Sequence, residues 1–393
     1  MHTNNTFKMV AKTAQGLEDV LVTELTQLGA ASVVKGLRMV EFSGDMELLY
    51  KANYALRTAI SILKPIAAFE ATNENDLYKG VYKIDWSQYL DVDQTFSVHS
   101  TVHSPHFQHS HFAALKVKDA IADQFRVIKG TRPNVDVENP SVKIDLHIQM
   151  GRVNLSLDSS GDPLFKRGYR TATGLAPINE VLAAGMILLS GWDGKSSFID
   201  PMCGSGTIAI EAAMIAANIA PGKFRPKYGF QTWKNYDEAL FKQSCASFPV
   251  NKMEMPSILA SDSDKHVLDA ARKNIENAGL EHFVRVRHCR FEDLERPGES
   301  GTLIFNPPYG ERLQDEDLTT FYGMVGSTLK HHFYGYEAWL ITSSPSGIKS
   351  ICLNPAKKHI LFNGALESHH FKFELYGGSK QQMACSFLFF VPI

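Results

Sequence analysis

Three stretches of this 393-residue chain set polar side chains directly behind apolar runs, where a buried strand would end and a loop begin. In IFNPPYGER (residues 304–312), Pro307 and Pro308 remove two backbone donors and hold Asn306 and Pro307 in extended geometry. Carbonyl oxygens then face outward, Asn306 adds a side-chain acceptor, and Tyr309 offers a flat face. A rigid turn that caps a strand is the plainer use of such residues. The chemical use is to grip a planar base with an exocyclic amine. That nitrogen is a poor nucleophile because its lone pair is delocalised, and two acceptors aligned on its N–H bonds would return electron density and aim it at an electrophile.

The second stretch, FIDPMCGSGT (198–207), ends a strand on Asp200 and opens a helix through Gly204 and Gly206. Glycines there let backbone approach a ligand, and the free N–H groups of a helix start favour a polar group. No Lys-Ser or Lys-Thr follows Gly206 as a P-loop requires, and Ala209 stands where a dinucleotide fingerprint carries its third glycine. A small cofactor without a pyrophosphate fits better. In the third stretch, SILASDSD (257–264), Asp262 is the first acid past the apolar run and can accept from two ribose hydroxyls, while Asp264 is placed to cap the next helix.

These loops need a scaffold that brings strand ends together. After SSGDPLFKRGYRTATG, strands alternate with helices and end in polar or glycine-rich loops, the pattern of an open parallel sheet with helices on both faces. APINEVLAAGMILLSGW reads as its first helix, and HHFKFELYG and ACSFLFFVPI as antiparallel edge strands. Upstream, residues 1–65 repeat a strand-then-helix pattern, and residues 66–160 hold the strand TFSVHSTV, the helix HFAALKVKDAIADQFRVI and two short strands about Gly151-Arg152. The division predicted is 1–65, 66–160 and 161–393.

With 40 basic and 42 acidic side chains the net charge is -2, which neither demands nor excludes a basic face. Five scattered cysteines lack any CxxC pair, and no apolar run approaches the roughly 20 residues of a membrane span. Reduced thiols in a cytoplasmic protein are the expectation. The histidines His99, His103, His106, His109 and His111 lack the cysteine or carboxylate company usual for zinc, so no metal is expected.

Taken together, DPMCGSGT, ASDSD and NPPYGERL resemble the class I S-adenosylmethionine-dependent methyltransferases that modify exocyclic amines of bases. LFKRGYR (164–170) followed by APINEVLAA (176–184), with FSVHSTVHSPHFQHSHFAALKVKDAIADQF (96–125) upstream, is similar to the bacterial rRNA large-subunit guanine-N2 methyltransferases of the RlmL type. The resemblance implies an α/β chain, a Rossmann-like class I methyltransferase domain preceded by a ferredoxin-like unit and a THUMP RNA-binding domain. It implies S-adenosyl-L-methionine bound by Asp200, Cys203, Gly204, Gly206 and Asp262, and a guanine of 23S rRNA or a large-subunit assembly intermediate held by Asn306, Pro307 and Tyr309. Where the class often carries an Asp toward the cofactor adenine, this chain has Arg290, so either backbone around Cys289 and Phe291 holds the adenine or Glu292 or Asp293 substitutes. The same similarity places Lys116, Lys118, Arg126, Lys129, Arg132, Lys166, Arg167 and Arg170 on RNA phosphates. A tRNA guanine-N2 enzyme and an N6-adenine methyltransferase acting on RNA or DNA are the rival readings.

Overall fold

The computed structural model describes residues 6–107, 109–171, 178–251, 255–308 and 315–377. Tyr309 and the ACSFLFFVPI segment lie outside them. The chain divides into two compact units, one of Met1–Gly168 with Ala220–Pro249, the other of Tyr169–Ile219 with Val250–Ile393. Among the described residues no helix is long and apolar enough to cross a membrane.

The first unit begins β1 (Phe7–Thr13), α1 (Glu18–Gln27), β2 (Ala31–Lys35), β3 (Met39–Gly44), α2 (Met46–Ala55) and β4 (Ala59–Glu70). It continues with α3 (Glu74–Tyr82), β5 (Thr95–His103), α4 (Ser110–Lys129), β6 (Asn134–Val135), β7 (Val142–Gln149) and β8 (Arg152–Asp158). All eight strands form one sheet in the order β2-β3-β1-β4-β8-β7-β5-β6. The division expected at 65/66 therefore falls inside a strand. β4 is 12 residues long, pairing β1 through its first half and β8 through its second, with a register shift between Pro65 and Ala67 where the proline has no N–H to give.

Periodicity explains the elements. Leu21 and Leu25 of α1 are buried one turn apart, and α4 buries Val117, Ala120, Ile121 and Phe125. Leu115 of the same helix lies off that stripe and is exposed. Buried Gln124 donates to the Tyr82 and Ile84 carbonyls at 2.6 Å each and accepts the Trp86 N–H at 3.0 Å, so its polar burial is compensated.

The segment 220–249, read from sequence with the methyltransferase-like part, packs in this unit. Its Tyr228 and Phe230 rings stack at 5.1 Å, Phe230 lies 4.7 Å from Tyr50, and the Asp237 N–H donates to the Tyr50 hydroxyl at 3.0 Å. Aromatic burial on this scale outweighs sequence proximity.

The second unit runs α5 (Glu180–Ser190), β9 (Ser197–Asp200), α6 (Thr207–Ala216), then β10 (Ile258–Asp262), α8 (Lys265–Asn277), β11 (Val284–His288), β12 (Gly301–Phe305), α9 (Asp315–His332), β13 (Tyr336–Thr342), β14 (Lys357–Asn363) and β15 (Leu366–Glu374); α7 (Glu238–Ala246) belongs to the first unit. The sheet order is β11-β10-β9-β12-β13-β15-β14, parallel through β13, with β15 antiparallel to both neighbours. Asn179 starts α5 by accepting the Val181 and Leu182 N–H groups, a cap worth about 1 kcal/mol. Because β9 pairs β10 on one side and β12 on the other, the chain order reverses there, and the loops after these three parallel strands share one end of the sheet.

Candidate active site at the carboxyl ends of the parallel strands

Those loops enclose a cleft of about 1150 Å³ whose walls include Cys203, Gly204, Asp262, Glu292, Asn306 and Pro307. Apolar cover comes from Phe291 and from Phe321 and Met324 of α9. Of the residues expected here from sequence, Cys203, Gly204, Asp262, Asn306 and Pro307 are brought together. Asp200 and Gly206 are not on the wall. Asp200 is fully buried at the end of β9, and Gly206 is the turn into α6 at φ 83°, where an added Cβ would press on Ala271 at 3.3 Å. Gly204, at φ 51°, has nothing within 4 Å of where a Cβ would stand.

Asp262 joins two loops. One carboxylate oxygen accepts the Gly204 N–H at 2.9 Å and the other accepts the Asp264 N–H at 3.0 Å. Asp264 in turn caps α8 by accepting the His266 N–H at 2.8 Å. The acid is thereby fixed in place with lone pairs left for hydroxyl donors.

Among the described residues neither carboxylate oxygen of Asp200 meets hydrogen-bond geometry, although the Met202 and Ala209 N–H groups lie close enough to act on it. Burial, then the Asp262 charge, pushes its pKa well above the usual carboxylate range, only partly offset by the backbone N–H groups of Met202 and Ala209. Burial and the same two carboxylates push the Cys203 thiol up as well, so it stays neutral and unreactive. A pyrophosphate would meet Asp262 unfavourably and disfavour the charged form of Asp200 further, whereas a ligand that carries positive charge suits both acids.

At the third loop, the side-chain oxygen of Asn306 is buried and has no partner among the described residues. Pro307 and Pro308 beside it cannot donate to it. An orphaned acceptor in a wall costs about 1–3 kcal/mol, which a ligand N–H would recover. Tyr309 is outside the described residues.

The loop after β11 corrects another expectation. Glu292 lines the cleft and pairs with Arg290, whereas Asp293 is exposed, is absent from the cleft wall and lines only the neighbouring shallow depression that Glu292 also borders. Residues 291–293 form a 3₁₀ turn, in which neighbouring side chains point about 120° apart. Phe321 and Met324 carried no sequence signal beyond an i, i+3 apolar pair, which any amphipathic helix shows.

Two arginines expected on RNA are used by the fold. Arg167 is 1% exposed and donates to the Leu164 carbonyl at 2.9 Å and the Arg57 carbonyl at 2.5 Å. Arg170 pairs with Glu180 at 3.0 Å and donates to the Thr207 hydroxyl and the Ile178 carbonyl, so it steadies two residues of the cleft wall. A guanidinium has five donors in a rigid fork, which suits it to collecting backbone carbonyls. The α4 cations differ. Arg126, Lys129 and Arg132 are exposed, with Arg126 paired to Asp123 at 2.7 Å; Lys116 lies 5.5 Å from the Phe112 ring; Lys118 is half-buried. Lys166 is exposed. His99 sits 3.4 Å from Asp145, and among the described residues no three metal-ligating side chains converge.

Comparison with known proteins is consistent across the chain. Residues 167–372 match the RMKL-like methyltransferase domain, residues 71–158 the THUMP domain and residues 8–63 the RlmL ferredoxin-like domain. The chain is 39% identical over 370 residues to a candidate RNA methyltransferase of Synechocystis sp., covering 93% of this chain and 96% of that protein. It is 38% identical over 381 residues to the ribosomal RNA large subunit methyltransferase K/L of Syntrophotalea carbinolica, covering 94% of this chain but only 53% of the relative, so it spans about half of that protein's length. A crystal structure of a candidate methyltransferase complexed with SAH superposes with a TM-score of 0.86 at 32% identity, covering 95% of this chain and 99% of that one.

Proposed function

The chain belongs to the RMKL-like, THUMP-containing RNA methyltransferase family, and from that premise we propose that it methylates the exocyclic N2 amine of a guanine in 23S rRNA, using S-adenosyl-L-methionine. The observation that carries the reading is the buried Asn306 oxygen, without a hydrogen-bond partner among the described residues, in the wall of a cleft that Asp262 also lines. The large-subunit assignment rests on the named relatives.

The residues present fit such a cofactor. Asp262 would take the ribose hydroxyls, the open face of Gly204 would admit the methionine portion, and a cationic ligand would draw buried Asp200 toward its charged form. When bound, the cofactor supplies an electrophilic methyl group on a positively charged sulfonium. The protein's own work is positional. Asn306 and the Pro307 carbonyl accept the two N–H bonds of the amine, Phe291, Phe321 and Met324 exclude water, and neutral Cys203 offers no competing thiolate. No strong base is required, because the surplus proton is acidic once the nitrogen is alkylated. Lys116, Lys118, Arg126, Lys129, Arg132 and Lys166 are assigned to RNA phosphates.

Incubation with methyl-labelled cofactor and separate pools of rRNA, tRNA and DNA, followed by nucleoside analysis, tests the assignment. Label in N2-methylguanosine of large-subunit rRNA is expected. Label in N6-methyladenosine, or confined to tRNA, would overturn it.

A further inference from the structure

Among the described arginines of the second unit, all but two are engaged, Arg170 with Glu180. On α8, Arg272 pairs with Asp269 at 2.9 Å and Lys273 with Glu276 at 3.0 Å; Arg290 pairs with Glu292, and Arg296 lies 3.5 Å over the Tyr334 ring. Arg285 and Arg287 of β11 are different. Both are exposed, and among the described residues neither has an acidic partner.

Their setting is specific. β11 is an edge strand, paired only with β10. Val284 and Val286 alternate with the two arginines, so Arg285 and Arg287 share one face about 6.6 Å apart along the strand. That interval is comparable to the step between successive phosphates on one strand of RNA. β11 runs parallel to β10 with His288 opposite Asp262, so its carboxyl end leads directly into the cleft, whose wall Arg290 joins.

We propose that Arg285 and Arg287 on the open edge of β11 form a phosphate track for the RNA strand flanking the target base. The proposal rests on the RNA methyltransferase reading above. A base delivered into the cleft brings its neighbouring nucleotides to the cleft's rim. Two unpaired guanidinium groups on the strand leading to that rim meet them with complementary charge. Edge arginines also prevent strand-to-strand association, and the test separates that use from this one.

The double variant Arg285→Gln/Arg287→Gln is compared with wild type in binding a short labelled single-stranded RNA across a salt series. Loss of two phosphate contacts should flatten the slope of log affinity against log salt by about 1.4, since each single-strand contact contributes about 0.7. KM for RNA should rise about tenfold with kcat nearly unchanged, and S-adenosyl-L-homocysteine affinity should be unaffected. The ion-paired control Arg272→Gln/Lys273→Gln should leave the slope as it is. An unchanged slope in the β11 variant overturns the proposal, and so does self-association of that variant with RNA affinity intact. If wild type neither binds nor methylates any RNA, the underlying functional reading fails, and the track with it.

Discussion

The stretch from Asp158 to Arg170 and the cleft at the carboxyl ends of the parallel strands both bury polar atoms, but they treat them oppositely. In the former, Arg167 is sealed in with its fork on backbone carbonyls, and Arg225 reaches across to donate to the carbonyls of Ser160, Asp162, Pro163 and Lys166. At the cleft, the Asn306 oxygen in the wall and Asp200 behind it at the end of β9 are buried with no hydrogen-bond partner among the described residues. Satisfied polar burial holds a segment in one conformation; unsatisfied polar burial is tolerated where a ligand completes it.

Substitution should separate the two regions by the sign of the stability change. The largest expected effect is on turnover. Asn306→Ala should lower kcat/KM by about 10²–10³ while leaving the urea midpoint unchanged or slightly raised, because it removes an orphaned acceptor. Full turnover in a variant that still binds cofactor would break the amine-grip assignment. Next, Arg167→Ala should cost about 3 kcal/mol of stability, read as a lowered urea midpoint, by stranding carbonyls in the interior. A loss of RNA affinity without destabilisation would return Arg167 to the RNA surface and erase the contrast.

Asp158 is the intermediate case and should give the smallest effect. Its carboxylate accepts the Ser160 and Gly161 N–H groups, yet burial raises its pKa to about 6 despite the attraction of Lys143. The folded state thus holds a proton that the unfolded state releases near pH 4, so this group's contribution falls as pH rises from about 4 to 6 and stays low above it. Asp158→Asn keeps an oxygen acceptor and removes the charge. It should stabilise by about 2 kcal/mol at pH 7.5 and by little at pH 4.5, measured as paired thermal melts. A gain equal at both pH values would show that partners, not burial, set the charge state.

Much of the second unit was legible because local signals there agree. The strands end in loops of fixed chemistry, and helix starts such as Asn179 and Asp264 carry their own caps. Asp262 was legible for the same reason, since in a parallel sheet a polar residue that ends an apolar run must emerge at the ligand end. What was misread depended on contacts distant in sequence. A cation in a polar linker reads as surface, and nothing near Arg167 announces the carbonyl of Arg57. Nothing in residues 220–249 announces Tyr50, whose ring lies 4.7 Å from Phe230. Glu292 and Asp293 are equivalent as letters, and a single turn of 3₁₀ helix brings only Glu292 to the cleft wall.

By itself the sequence determined which residues stand at the ends of the parallel strands and hence the kind of chemistry the cleft can host, because strand period and turn chemistry are local properties. Only the tertiary structure decided which polar groups are sealed with partners, as Arg167 is, and which are left open, as Asn306 is. Hydrogen-bond satisfaction and burial are set by atoms that the chain brings together from far apart.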